Sequence, residues 1–169
     1  MILSKIANKG ISLGPLLLLY YLSISEIDTY FENFFEILSF NIQLIINYFW
    51  VLKRPSMLGN GHIFFAGLIN DVVMGFPLGI SSLSYLIISF MATYIKNMSV
   101  NTSITSDWFT FFIAIMFSNG SFLLLATNFS EIQINFLEMS YNTFFTLIFF
   151  PFFWFFFNFY NSMIGNRNV

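Results

Sequence analysis

Six basic residues punctuate this chain, and they stand in only four places: Lys5 and Lys9, Lys53 and Arg54, Lys96, and Arg167. The stretches between them are long and apolar. A helix crosses the hydrocarbon of a bilayer with about 20 mostly apolar residues. Read on that scale, the chain divides into six spans, near 11–29, 33–52, 57–76, 79–95, 108–127 and 140–161. With that division every Lys and Arg falls on one side of the membrane, together with both termini. This is the pattern of the positive-inside rule. A different number of spans would scatter the basic residues over both sides. The expected architecture is therefore all-α and integral to the membrane: six transmembrane helices, N-in and C-in, in a single compact bundle over residues 1–169.

Composition enters as support. Only 8% of the residues are charged, while 57% are hydrophobic. Soluble domains carry roughly 25% charge, so this chain cannot cover a water-facing surface, and its expected solvent is membrane lipid. The net charge of −2 comes with no basic patch, which speaks against nucleic acid as a partner. Cysteine is absent, so disulfides and thiolate chemistry are excluded. The 26 Phe residues and many Asn residues carry the codon bias of an AT-rich genome, so part of the Phe excess is compositional. Residues 1–10 followed by the apolar 11–24 resemble a signal sequence, but SEIDTYFEN after them lacks a small-x-small cleavage pattern. Residues 11–24 are read as an uncleaved first span whose helix runs on into 25–30.

Polar groups inside spans are costly, so each is a candidate for function. Asp71 stands out. In a helix beginning near Ser56 it lies about 22 Å from the cytoplasmic end, in the outer part of the third span. Gly67, Asp71 and Gly75 are spaced i, i+4, i+8 and share one face with Asn70 and Ala66 beside them, and Gly59 and Ile63 below. Small residues at that spacing let another helix come close. Three uses are open: packing within this chain, contact with a partner or ligand, and proton relay, for which no paired acid is evident. Pro77 between Gly75 and Gly79 marks a tight outer turn, FPLG (76–79).

Other features are read as structural. Glu36, Gln43 and Asn47 share a face of the second span and are expected to hydrogen-bond between helices. The SNGS stretch (118–121) suggests close packing or a local break, and Pro151 a kink. His62 and the indoles Trp50 and Trp108 are expected near interfaces, and Trp154 in packing or facing lipid. The Phe run of the last span is expected to face lipid. The longest connection, 96–107, is expected to be a polar cytoplasmic loop. The chain holds no HExxH, GxSxG or P-loop motif and no cysteine nucleophile, so it is read as non-enzymatic, with no cofactor and no metal.

One stretch carries a family resemblance. Arg54-Pro55, then Gly67-Leu68, Asp71, Gly75 and Pro77-Leu78-Gly79 leading to Leu83 spell RP…GLxxDxxxGxPLGxxxL. This resembles the signature of the MreD family of bacterial rod-shape-determining membrane proteins, with Ser82 standing where an Ala is expected. Beyond residues 54–83 the likeness is one of architecture: six spans, short loops, and a Pro in an aromatic last span. The resemblance implies a scaffold of the cell-elongation machinery at the inner membrane, active in lateral peptidoglycan synthesis. It implies as partners an MreC-like protein, an MreB-like actin homologue, a RodA-like glycosyltransferase and a class B penicillin-binding transpeptidase. It also implies a bundle resembling the substrate-binding subunits of energy-coupling-factor transporters, hence an alternative role in binding a vitamin-type molecule. The residues it singles out for partner binding or helix packing are Arg54, Pro55, Gly67, Asn70, Asp71, Gly75, Pro77, Leu78 and Gly79.

Overall fold

The computed structural model describes residues 13–25, 41–98, 103–129 and 135–165. Among them it is entirely helical: α1 (Gly14–Ile24), α2 (Ile42–Lys53), α3 (Asn60–Met74), α4 (Ile80–Met98), α5 (Ile104–Phe129) and α6 (Phe136–Gly165). Two of these helices, α5 and α6, are long and apolar enough to cross a membrane, while α1 and α2 are apolar but shorter.

Local chemistry explains where the helices begin and end. Pro15 opens α1 in the first turn, where its missing N–H costs nothing. Asn41 caps α2 by accepting from the Leu44 N–H at 3.1 Å. Ser103 caps α5 by accepting from Ser106 N–H at 3.3 Å, and Asp107 in the first turn complements the helix dipole. At α6, Asn135 accepts from the Leu137 N–H while its amide donates to Glu138 at 2.7 Å, which fixes the start. The expected loop over 96–107 is corrected accordingly: α4 runs to Met98 and α5 begins at Ile104, leaving 99–102 outside the described residues.

The core is built around α2. Every residue from Leu44 to Leu52 is buried. A helix buried on every face over about two and a half turns has none to give to solvent, so it takes the centre. Helices α1, α4 and α6 pack on it, and Tyr48 reaches Thr110 of α5 at 2.5 Å. Trp50, expected near an interface, is 1% exposed and sits among Phe49, Phe157 and Tyr160. Phe111 stacks on Phe150 at 4.4 Å between ring centres.

Pairwise contacts fix the directions. Ser82 against Phe64 and Ser89 against Asn60 make α4 antiparallel to α3. Asn41 against Thr146 and Arg54 against Asn161 make α6 parallel to α2. Lys53 meets Asp107 at the start of α5, and a side chain on Gly14 would meet Tyr160. The end of α2, the end of α4 with Lys96, the start of α5 and the start of α1 thus share one end of the bundle. The turn after α3 lies at the other.

Helix α6 continues through Pro151. A proline leaves the carbonyl four residues earlier without its helical donor; here that is Leu147. The Trp108 indole N–H donates to the Leu147 carbonyl at 2.9 Å, so the orphaned acceptor is satisfied from α5. Trp108→Phe is expected to cost about 1 kcal/mol. In a Pro151→Ala background, where residue 151 regains its N–H, the same change is expected to cost less than half as much in a double-mutant cycle. The SNGS stretch likewise forms no break. Ser118 Oγ donates to the Ser84 carbonyl at 2.9 Å and Ser84 Oγ to the Ser118 carbonyl at 3.3 Å, locking α4 to α5. Gly120 meets nothing there, so the serines and not the glycine make the close contact.

The outer surface of α6 is aromatic. Phe152, Phe155, Phe156 and Phe159 are each more than half exposed, while Phe150 and Phe157, seven residues apart, enter the core.

Candidate functional site

The Asp71 junction is assembled from the last turn of α3, the turn after it and the first turn of α4. Gly75 ends α3 in the left-handed region at φ 69°, and its N–H and that of Phe76 both donate to the Asp71 carbonyl. This closing motif needs a residue free to adopt positive φ. Phe76 then packs edge-on against Phe122 of α5. Gly79, at φ 105°, immediately precedes α4. The first N–H groups of any helix lack intrahelical acceptors. Here the side chain of Asp71 supplies them: Oδ2 accepts from Gly79 N–H at 2.7 Å and Oδ1 from Ser81 N–H at 2.8 Å. Asp71 is 0% exposed. Its carbonyl closes one helix and its carboxylate opens the next.

The neighbours extend the joint. Asn70 donates to Ser81 Oγ at 3.2 Å and accepts from Gln43 of α2 at 3.4 Å. Gln43 in turn accepts from the Tyr85 hydroxyl. Three helices are thereby linked through amides and hydroxyls that each find a partner, as buried polar groups must. One turn below, Gly67 faces α4 so closely that a Cβ there would lie 2.4 Å from Ser82 Cα and 2.6 Å from its nitrogen. Ser82, the departure from the family pattern, donates from Oγ to the Phe64 carbonyl at 3.0 Å. The middle of the stripe, at Gly67, Asn70 and Asp71, is therefore covered by α4 of the same chain, while Gly59 and Gly75 are exposed.

The residues singled out by sequence do not form one site. Gly67, Asn70, Asp71, Gly75, Pro77, Leu78 and Gly79 gather at the junction. Pro77 is half-buried, its carbonyl accepting from Ile80 N–H, while Leu78 at the tip of the turn is 70% exposed. Arg54 and Pro55 lie at the opposite end. Arg54 Nε donates to Asn161 Oδ1 at 2.6 Å, fastening α2 to α6, and Pro55 is exposed in the following turn. Of the face Glu36–Gln43–Asn47, Glu36 lies outside the described residues. Asn47 corrects the expectation of interhelical bonding: it is 0% exposed, and neither of its amide atoms has a hydrogen-bond partner. His62 is exposed and meets the Tyr20 hydroxyl at 3.1 Å.

Sequence reasoning missed a second polar cluster because it placed Asp107 in a loop. Asp107 is 1% exposed; its Oδ2 pairs with Lys53 Nζ at 2.9 Å and accepts from Trp154 Nε1 at 2.8 Å. The Lys53 ammonium also lies 5.6 Å from the centre of the Trp154 ring. The end of α2, the start of α5 and the middle of α6 thus meet on one carboxylate. The available signal was Ser103, a cap residue, four positions before an acid. Breaking a buried pair strands the remaining charge. Lys53→Met is expected to cost about 2 kcal/mol, less than for a fully buried pair because Lys53 keeps 15% exposure. Adding Asp107→Asn should recover more than half of that loss in the same unfolding measurement.

Among the described residues, no three His, Asp or Glu side chains gather as a metal site would require. The other face of α3 carries a shallow, wholly apolar groove lined by Phe65, Leu68, Ile69, Val72 and Val73. Comparison with known proteins finds no match to this chain among family models, curated proteins or solved structures.

Proposed function

We propose that the chain is a non-enzymatic, six-span scaffold of the inner membrane, an MreD-like component of the bacterial cell-elongation complex that maintains cell shape and supports lateral peptidoglycan synthesis. The observation that carries this reading is the Asp71 junction. The most distinctive residues of the family-like stretch are spent on holding the chain's own helices, and Asp71 has both oxygens engaged by backbone N–H groups. Such a residue shapes a surface and leaves little for a substrate to bind. Lys53, Arg54 and Lys96 share one end of the bundle, which the positive-inside rule makes cytoplasmic. Leu78 then faces outward. The partners are an MreC-like protein, an MreB-like actin homologue, a RodA-like glycosyltransferase and a class B penicillin-binding transpeptidase. With little soluble surface, the chain offers them its exposed turns and apolar flanks, such as the α3 groove.

The alternative, a subunit binding a vitamin-type molecule, draws support from Asn47 and the Trp50 indole N–H, buried in the core without partners. Depletion in the living cell separates the two. The scaffold reading expects rods to become round while vitamin uptake is unchanged. Normal rods with lost uptake would overturn it in favour of transport.

A further inference from the structure

We infer that α3 and α4 enter the membrane as one closed helical hairpin, sealed by the Asp71 junction before the remaining helices pack around it. The inference rests on the six-span reading. Neither helix is fitted to cross by itself. Of the six described helices, α3 and α4 are the two that qualify neither as candidate spans nor as short apolar helices. Their buried polar residues are Asn70 and Asp71 on α3 and Ser81, Ser82, Ser84 and Ser89 on α4. In hydrocarbon an unpaired polar group is costly.

Most of those groups are paired across this one interface. Asp71 holds the N–H groups of Gly79 and Ser81, Asn70 holds Ser81, Ser82 holds the Phe64 carbonyl and Ser89 holds Asn60 at 2.9 Å. The ties run from the turn nearly to the start of α3. Only the five residues Gly75 to Gly79 separate the two helices at the closed end, so the polar partners there meet without waiting for any distant helix. Gly67 is the condition for the contact, since any side chain there meets the α4 backbone.

The chain has no cysteine, so Leu78→Cys at the exposed tip of the turn reports its side of the membrane. The full chain with this change is pulse-labelled in intact cells by a membrane-impermeant maleimide, normalised to labelling after detergent lysis. The reference is expected to label from outside. Adding Gly67→Leu makes α3 more apolar, so independent insertion expects labelling to be unchanged or higher. A closed hairpin expects it to fall at least threefold, because Asp71 and the serines lose their partners. Adding Asp71→Ala to Gly67→Leu removes the stranded carboxylate and is expected to restore at least half of the lost labelling, although the bundle stays unfolded. Unchanged labelling in Gly67→Leu overturns the hairpin. So does a loss that Asp71→Ala does not relieve. A reference reached only from inside would overturn the six-span reading itself.

Discussion

Replacing Gly67 by alanine is expected to destabilise the bundle by about 3 kcal/mol or more, at the upper end of what overpacking costs. The added methyl would lie 2.4 Å from Ser82 Cα and 2.6 Å from Ser82 N. Both are backbone atoms, so no rotamer change relieves the clash and the two helices must separate. Separation also loosens the ties from Asn70 and Asp71 to the start of α4, because the same interface carries them. Ser82→Gly, which removes only the side chain, is expected not to rescue Gly67→Ala. Reversible unfolding in mixed detergent micelles, followed by helical circular dichroism, measures both. Gly120→Ala is the control: nothing lies within 4 Å of its added methyl, and a small stabilisation is expected, as for any exposed helical glycine.

Asp71→Ala is expected to cost about 4 kcal/mol. Two hydrogen bonds to a carboxylate are lost, each worth roughly 1.5–3 kcal/mol. The buried Ser81 N–H is left with no acceptor in the junction. Asp71→Asn is expected to recover less than half, since its amide offers one acceptor and turns a donor toward the second N–H. If Asn restored full stability, the residue would be acting as polar bulk and not as a double cap. The change should be read in the same unfolding assay, and the loss should be smaller at Asn70, where Asn70→Ala breaks bonds at 3.2 and 3.4 Å between neutral groups.

What could be read from the sequence was whatever depends on short spacings. Gly67, Asp71 and Gly75 four apart placed a polar stripe on one helix face, and Gly75 and Gly79 marked the turn. Both follow from backbone geometry within a dozen residues. The partners of those groups are another matter. The Leu147 carbonyl meets Trp108 across 39 positions and Asp107 meets Lys53 across 54. Periodicity holds no information about such pairs. Asp107 was misplaced because a polar run reads as a loop, when Ser103, Thr105 and Ser106 in fact begin a helix. Trp50 was misplaced because an indole near a Lys-Arg pair resembles an interface anchor, although α2 is buried along its whole run from Leu44 to Leu52. Ser82 was read as a departure from a pattern, yet its hydroxyl bonds α3 and its backbone sets how close the helices come.

The scaffold claim stands or falls on company. The intact chain, tagged at one terminus and drawn from its own membranes in mild detergent, is expected to bring with it an MreC-like protein together with RodA-like and class B transpeptidase subunits. It is expected to carry no stoichiometric small molecule. A tightly held vitamin-type compound, with none of the wall-synthesis proteins present, would contradict the account.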